Sequence, residues 1–135
     1  MRGAELSVVF LTSTYPSDAS PYSGIFHETS ALALKSIGVS VQVVAPRPYV
    51  PAALERSRLS RGSWRTASAV PDLDVRNGIT VHRPRYLAVP RQHYWFCSHL
   101  TMRRGVQSAL GRIGHLDVLH GHFAYPQGLL GARLA

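Results

Sequence analysis

The chain is 135 residues long and carries 15 Lys+Arg against 7 Asp+Glu, a formal net charge of +8. That length is one ordinary domain at most, which excludes a two-lobed enzyme with a cleft between complete domains for these residues. A hydrophobic share of 45% excludes a natively unfolded chain, and the single cysteine, Cys97, excludes an internal disulfide and a cysteine-based zinc cage.

Leu6 to Leu11 (LSVVFL) is a nearly continuous apolar, β-rich run, which predicts a strand buried on both faces of a parallel sheet. Residues 12–23 hold two prolines and many Ser and Thr without a period, so they form a loop at the carboxyl end of that strand, with Ser23 as the helix cap. From Gly24, the positions Ile25, Phe26, Leu32, Ala33 and Ile37 recur at helical spacing and Gly38 supplies a left-handed stop, predicting a helix over 24–37. Val39 to Ala45 is β-branched and is closed by Pro46 and Pro48, giving a second strand. Strand, helix and strand in about forty residues make a βαβ unit, which implies a parallel sheet and a right-handed crossover.

Residues 49–77 lack a period and contain Arg56, Arg58, Arg61, Arg65 and Arg76, so they read as a long surface loop. Asn77-Gly78 turns the chain into an alternating strand over Ile79 to Arg83, and Arg85 to His93 is a connector. Phe96, Leu100, Val106, Leu110 and Ile113 share a face, predicting a helix over 94–113 that ends before Gly114. Asp117 to His122 reads as a fourth strand, and Pro126 as the first residue of a last helix carrying Leu129, Leu130 and Leu134. The alternation indicates an α/β fold with a doubly wound, mainly parallel Rossmann-like sheet. The start of the chain lacks the pattern of a signal peptide, and no apolar run approaches the ~18 residues of a membrane span. With the lone cysteine, this gives the expectation of a soluble cytoplasmic protein.

In such a sheet, ligands bind beyond the carboxyl ends of the strands where the winding reverses. That rule brings Ser23-Gly24 and His120-Gly121-His122 toward one crevice. Gly24 opens a helix, whose free N–H groups and dipole suit a phosphate, although the glycine also serves a tight turn into the helix. His120 and His122 are two apart on a strand and point to one face. They fit a satisfied structural pair, two zinc ligands, or contacts to a substrate at the strand tip, and His122 lies nearer the loop. A metal needs a third ligand, and His115 or Asp117 would have to fold back from the other end of the strand, so no metal site is expected. The six-position glycine fingerprint of dinucleotide binding and the phosphate-loop signature are both missing from the sequence. Of the 15 cations, all but Lys35 are Arg, spread over loops and helix faces without a basic helix or an aromatic ribonucleoprotein pattern, so no nucleic-acid partner is expected. They read as a solvated cationic surface, with the cluster Arg83, Arg85 and Arg91 also suited to an acidic membrane surface or a phosphorylated acceptor.

Three blocks, Ser23-Gly24-Ile25-Phe26-His27-Glu28, then 32–46 (LALKSIGVSVQVVAP), then 117–128 (DVLHGHFAYPQG), together with Tyr15-Pro16, resemble the amino-terminal half of family 4 glycosyltransferases of the GT-B fold. Residues 49–78 match nothing in that family. The resemblance implies retaining transfer of a hexose from a nucleotide-sugar donor to a hydroxyl of a carbohydrate or lipid-linked acceptor, with no cofactor and usually no metal. It further implies that Ser23 and Gly24 lie near the donor diphosphate and the acceptor, and that His122 contacts the transferred sugar. Many members have two glycines where this chain has Ser23-Gly24. On this reading, residues 1–135 are a single, incomplete acceptor-side amino-terminal domain that is inactive alone. The carboxyl-terminal donor domain and further strands beyond strand four are missing, which leaves a bare sheet edge. The alternative is a non-catalytic binding or regulatory module that holds a phosphorylated ligand or partner in the same crevice.

Overall fold

The structure is a computed structural model that describes residues 5–49, 70–87 and 98–134. Its elements run β1 (Ser7–Leu11), α1 (Ile25–Ser36), β2 (Ser40–Val44), β3 (Arg47–Tyr49), β4 (Leu73–Arg76), β5 (Ile79–His82), β6 (Arg85–Leu87), α2 (Ser98–Ile113), β7 (Val118–Gly121) and α3 (Leu129–Leu134). Five strands form the main sheet in the order β4-β5-β2-β1-β7. β1 pairs in parallel with β2 and with β7, β2 pairs in parallel with β5, and β4 alone is antiparallel. The expected α/β fold with a doubly wound, mainly parallel sheet is what forms.

Alternation along β1 divides the interior into two layers. Val8 and Phe10 point into one core with Tyr15, Ala31, Val41, Val43, Ile79 and Val81, against α1. Val9 and Leu11 point into the other with Val44, Met102, Val106, Ala109 and Leu130, against α2 and α3. A strand buried on both faces has no polar alternation to show, which is why LSVVFL reads as an uninterrupted run. The strand is anchored at its start by Asp117, whose Oδ2 accepts from Ser7 N–H at 2.8 Å and whose own N–H donates to Ser7 O at 2.9 Å. That backbone hydrogen bond, with His115 beside it, holds the Asp117 carboxyl below the ordinary carboxylate range.

Several expectations are corrected. Gly24, not Ser23, caps α1; it adopts φ 69° and ψ 29°, and no side chain caps the helix. The segment read as a loop up to residue 77 contains β4, which closes a hairpin with β5 through Asn77 (φ 50°) and Gly78 (φ 77°). Both positive values suit the primed two-residue turn that matches strand twist. β4 escaped detection because its alternation is inverted: Leu73 and Val75 are exposed, while Asp74 and Arg76 face inward and are ion-paired.

Pro46 and Pro48 do not end the extended chain. They interrupt it, and β3 pairs in parallel with β6, inside the segment read as a connector. The bonds Ala45 N–H to His82 O (2.8 Å) and Arg47 N–H to Pro84 O (2.9 Å) carry the β2–β5 pairing past the break. A two-stranded ladder has a free outer side where the missing N–H of Pro48 costs nothing. The last helix starts at Leu129, after an irregular turn over Ala124–Gly128 in which Tyr125 is extended (φ −141°, ψ 139°), so Pro126 is not its first residue. The part of the expected 94–113 helix before Ser98 lies outside the described residues, as do Cys97, Arg91 and most of 49–70. Among the described strands β7 is at the sheet edge, and no described helix is long and apolar enough to cross a membrane.

Candidate functional site

The winding reverses at β1, which has β2 on one side and β7 on the other. The loop after β1 and the loop after β7 therefore leave the sheet side by side, and His122 N–H donates to Leu11 O at 2.9 Å to lock the two strand ends together. The first turn of α1 lies over this point.

Gly24 is required here by space as well as by its dihedral angles. A Cβ on it would stand 2.5 Å from Thr14 O and 2.9 Å from Thr14 Oγ1, so the loop could not pass this close to the helix start with any side chain present. Thr12, fully buried, holds that loop by donating to Thr14 O (3.1 Å) and accepting from Thr14 N–H (3.3 Å). Ser23 is exposed, and its N–H donates to Ser20 O at 3.2 Å. The turn beyond β7 is equally tight. A Cβ on Gly128 would meet Phe123 O at 2.9 Å, and one on Gly121 would meet Gly128 Cα at 3.1 Å. Phe123 carries φ 72° and ψ 141°, a region that nearly all residues other than glycine avoid and that concentrates at functional sites.

Three imidazoles meet beneath Gly24. The rings of His120 and His122 are stacked, 4.3 Å between centroids and 13° between planes, which places the two on one face as their spacing requires. His27 of α1 stands edge-on to His122 at 4.3 Å, and Phe10 stands edge-on to His122 at 4.6 Å and to His120 at 5.3 Å. His27 is 4% exposed, and the Nε2 atoms of both His27 and His122 are buried with no hydrogen-bond partner among the described residues. Burial, reinforced by His27 and His120 alongside, pushes the His122 pKa down to about 4. Burial and then His120 lower that of His27 as well. Both are therefore neutral imidazoles at physiological pH, each able to donate from one nitrogen and accept at the other. His115 and Asp117 stay at the far end of β7, hydrogen-bonded to each other at 3.1 Å. Among the described residues no group of three or more His, Cys, Asp and Glu is arranged to hold a metal ion.

The sequence reading left out His27. The signal for it was available: His27 lies four residues before the fully buried Ala31, on the inward face of the helix. Gln127 was missed too; it is 1% exposed, and neither atom of its amide has a partner among the described residues.

Of the expected cluster Arg83, Arg85 and Arg91, the first two are ion-paired and the third lies outside the described residues. Arg83 is buried at 3%, donates to Pro16 O at 2.9 Å and pairs with Asp74 at 3.3 Å, and Arg85 pairs with Asp72 at 3.3 Å. Arg47 also binds Asp72, and Arg76 bridges Asp18 (3.1 Å) and Glu28 (3.6 Å). Asn77 Nδ2 donates to Glu28 Oε1 at 2.8 Å and Lys35 Nζ to Asn77 O at 3.2 Å. These contacts fasten the β4–β5 hairpin to α1 and to the loop that carries Gly24. Tyr15 lies buried among them, its phenol pushed up to about 12 by burial and then by Glu28.

The chain is 35% identical over 124 residues to a Bacillus subtilis (strain 168) protein named "Putative teichuronic acid biosynthesis glycosyltransferase TuaC". The match covers 91% of this chain and 31% of that relative, so the chain spans about a third of the relative's length. No protein-family model matches the chain, and no solved structure matches it.

Proposed function

We propose that these residues form the acceptor-side part of a retaining, family 4 glycosyltransferase of the GT-B fold, which moves a hexose from a nucleotide sugar to a hydroxyl of a carbohydrate or lipid-linked acceptor. The observation that carries this is the similarity along nearly the whole chain to a relative named as a glycosyltransferase. The geometry supports it. The start of α1, with Gly24 and His27, and the β7 histidines, about a hundred residues apart in sequence, come together at the strand tips, where α/β sheets hold ligands.

In this reading the α1 start, with no side chain at Gly24, accepts a phosphate on its free N–H groups. His122, kept neutral by burial, hydrogen-bonds a hydroxyl of the transferred sugar, and a buried Nε2 without a partner is a group that gains from such a bond. His120 and Ser23 lie exposed at the same rim. The fragment is inactive without a donor-binding domain, and its surroundings are the cytoplasm or the inner face of the membrane.

The test is a His122→Ala substitution in a protein that also contains the donor-binding domain. Transfer from a nucleotide sugar falls by about a hundredfold or more, the size of a lost transition-state hydrogen bond; wild-type turnover removes His122 from the mechanism. Full transfer activity in the isolated 135-residue chain overturns the inactivity of the fragment.

A further inference from the structure

A second cavity, of 420 Å³, lies away from the histidine cluster, on the α2 side of the sheet between α2 and the β4–β5 hairpin. Among the described residues, α2 approaches the strands closely at one point, and the cavity opens beside that contact. A Cβ at Gly105 would stand 2.9 Å from Pro84 Cβ and 3.2 Å from Arg85 O, so the helix rests there directly on the chain that follows β5. Past that contact the wall of the cavity is formed by Asp72, Leu73, His82, Arg85, Ser108 and Arg112.

Its charges do not balance. Asp72, the carboxylate of this wall, is shared by the guanidinium groups of Arg47 and Arg85, and Arg85 also lies over the Tyr49 ring at 5.8 Å. Arg112 supplies the positive charge in excess: it forms no ion pair among the described residues, and α2 has no Asp or Glu along its sixteen residues. The Arg112 charge is felt across the cavity, where burial and then Arg112 hold the His82 pKa below its ordinary value. His82 is oriented by a 3.0 Å hydrogen bond between Nε2 and Gln42 Oε1, which leaves Nδ1 as its second hydrogen-bonding atom. Guanidinium groups, a hydroxyl and an imidazole around a surplus of positive charge match an oxyanion. The volume falls in the range of small-molecule sites and exceeds the needs of a bare phosphate.

We propose that the cavity between α2 and the β4–β5 hairpin binds a phosphate monoester of about monosaccharide size, with Arg112 and Arg85 on the phosphate and Ser108 and His82 as further hydrogen-bonding groups. Glycosyl transfer is not needed for this inference, which stands on different residues from the crevice at Gly24 and His122.

The experiment follows the His82 imidazole resonances of the purified chain by NMR during titration with inorganic phosphate, with glucose 1-phosphate and with vesicles containing phosphatidic acid, whose headgroup is a phosphate monoester. Glucose 1-phosphate is expected to shift them saturably and more tightly than inorganic phosphate. Arg112→Gln, at an exposed helix position, weakens binding about tenfold, a loss of about 1.4 kcal/mol, while Arg133→Gln on α3 leaves it unchanged. Vesicle binding that depends on Arg112, with no response to soluble phosphates, assigns the phosphate to a lipid headgroup and keeps the site. No saturable shift with any probe, or equal loss in the Arg112 and Arg133 variants, overturns the proposal.

Discussion

Acid destabilisation traced to one ring is the most direct consequence of the histidine cluster. His122 titrates near its ordinary 6.5 in the unfolded chain and at about 4 in the folded one. Between those values the unfolded state binds the proton and the native state does not, so stability is complete above pH 6.5 and falls as the pH drops toward 4. At about 1.4 kcal/mol per pH unit the full interval corresponds to about 3 kcal/mol. Because the ring is only partly buried and keeps some contact with water, about 2 kcal/mol is expected in practice. His27, lowered in the same direction, adds to the loss. The assay is urea unfolding of the wild type and of His122→Phe at pH 7 and pH 4.5. Phenylalanine keeps a ring against Phe10 and His27 but cannot take a proton, so the variant loses about 1–2 kcal/mol less than the wild type on acidification. Identical losses in the two proteins would refute the assignment of acid sensitivity to His122.

Two further substitutions probe the frame around the site. Gly24→Ala forces a Cβ into a left-handed residue and against the Thr14 carbonyl, and should cost about 2–3 kcal/mol. Calorimetry should show a melting point several degrees lower, and an unchanged value would mean that the loop is free to move away. Asp74→Ala leaves the buried Arg83 guanidinium with the Pro16 carbonyl as its acceptor among the described residues, at a cost of about 3 kcal/mol. Adding Arg83→Met should recover part of that loss, and strict additivity in the double variant would show that the pair is not coupled.

The α/β class and the main strands are legible in the sequence because their signals are short-range. Apolar runs that are continuous in β1 and β2, helical spacing from Ile25, and Asn77-Gly78 are each contained in a few consecutive residues, and each marks a real element. The paired placement of His120 and His122 is likewise a property of one strand. β4 shows where such reasoning stops. Its inward residues are Asp74 and Arg76, and their burial makes sense only once Arg83, Asp18 and Glu28 arrive from other elements to neutralise them.

His27 had the same limitation. Its place on the inner face of α1 is local, but its contact with His122 depends on β7 pairing with β1 across more than a hundred residues of chain. What the sequence by itself determined was the class of fold, the order of the main strands and helices, and the two loops that meet at the strand tips. Tertiary structure alone decided that four arginines are tied into ion pairs, that the imidazoles of His27, His120 and His122 pack together at the strand tips, and that a positively charged cavity opens beside α2. Periodicity reports which side of an element is buried, whereas charge pairing and cavities depend on which partner side chains other elements bring to that place.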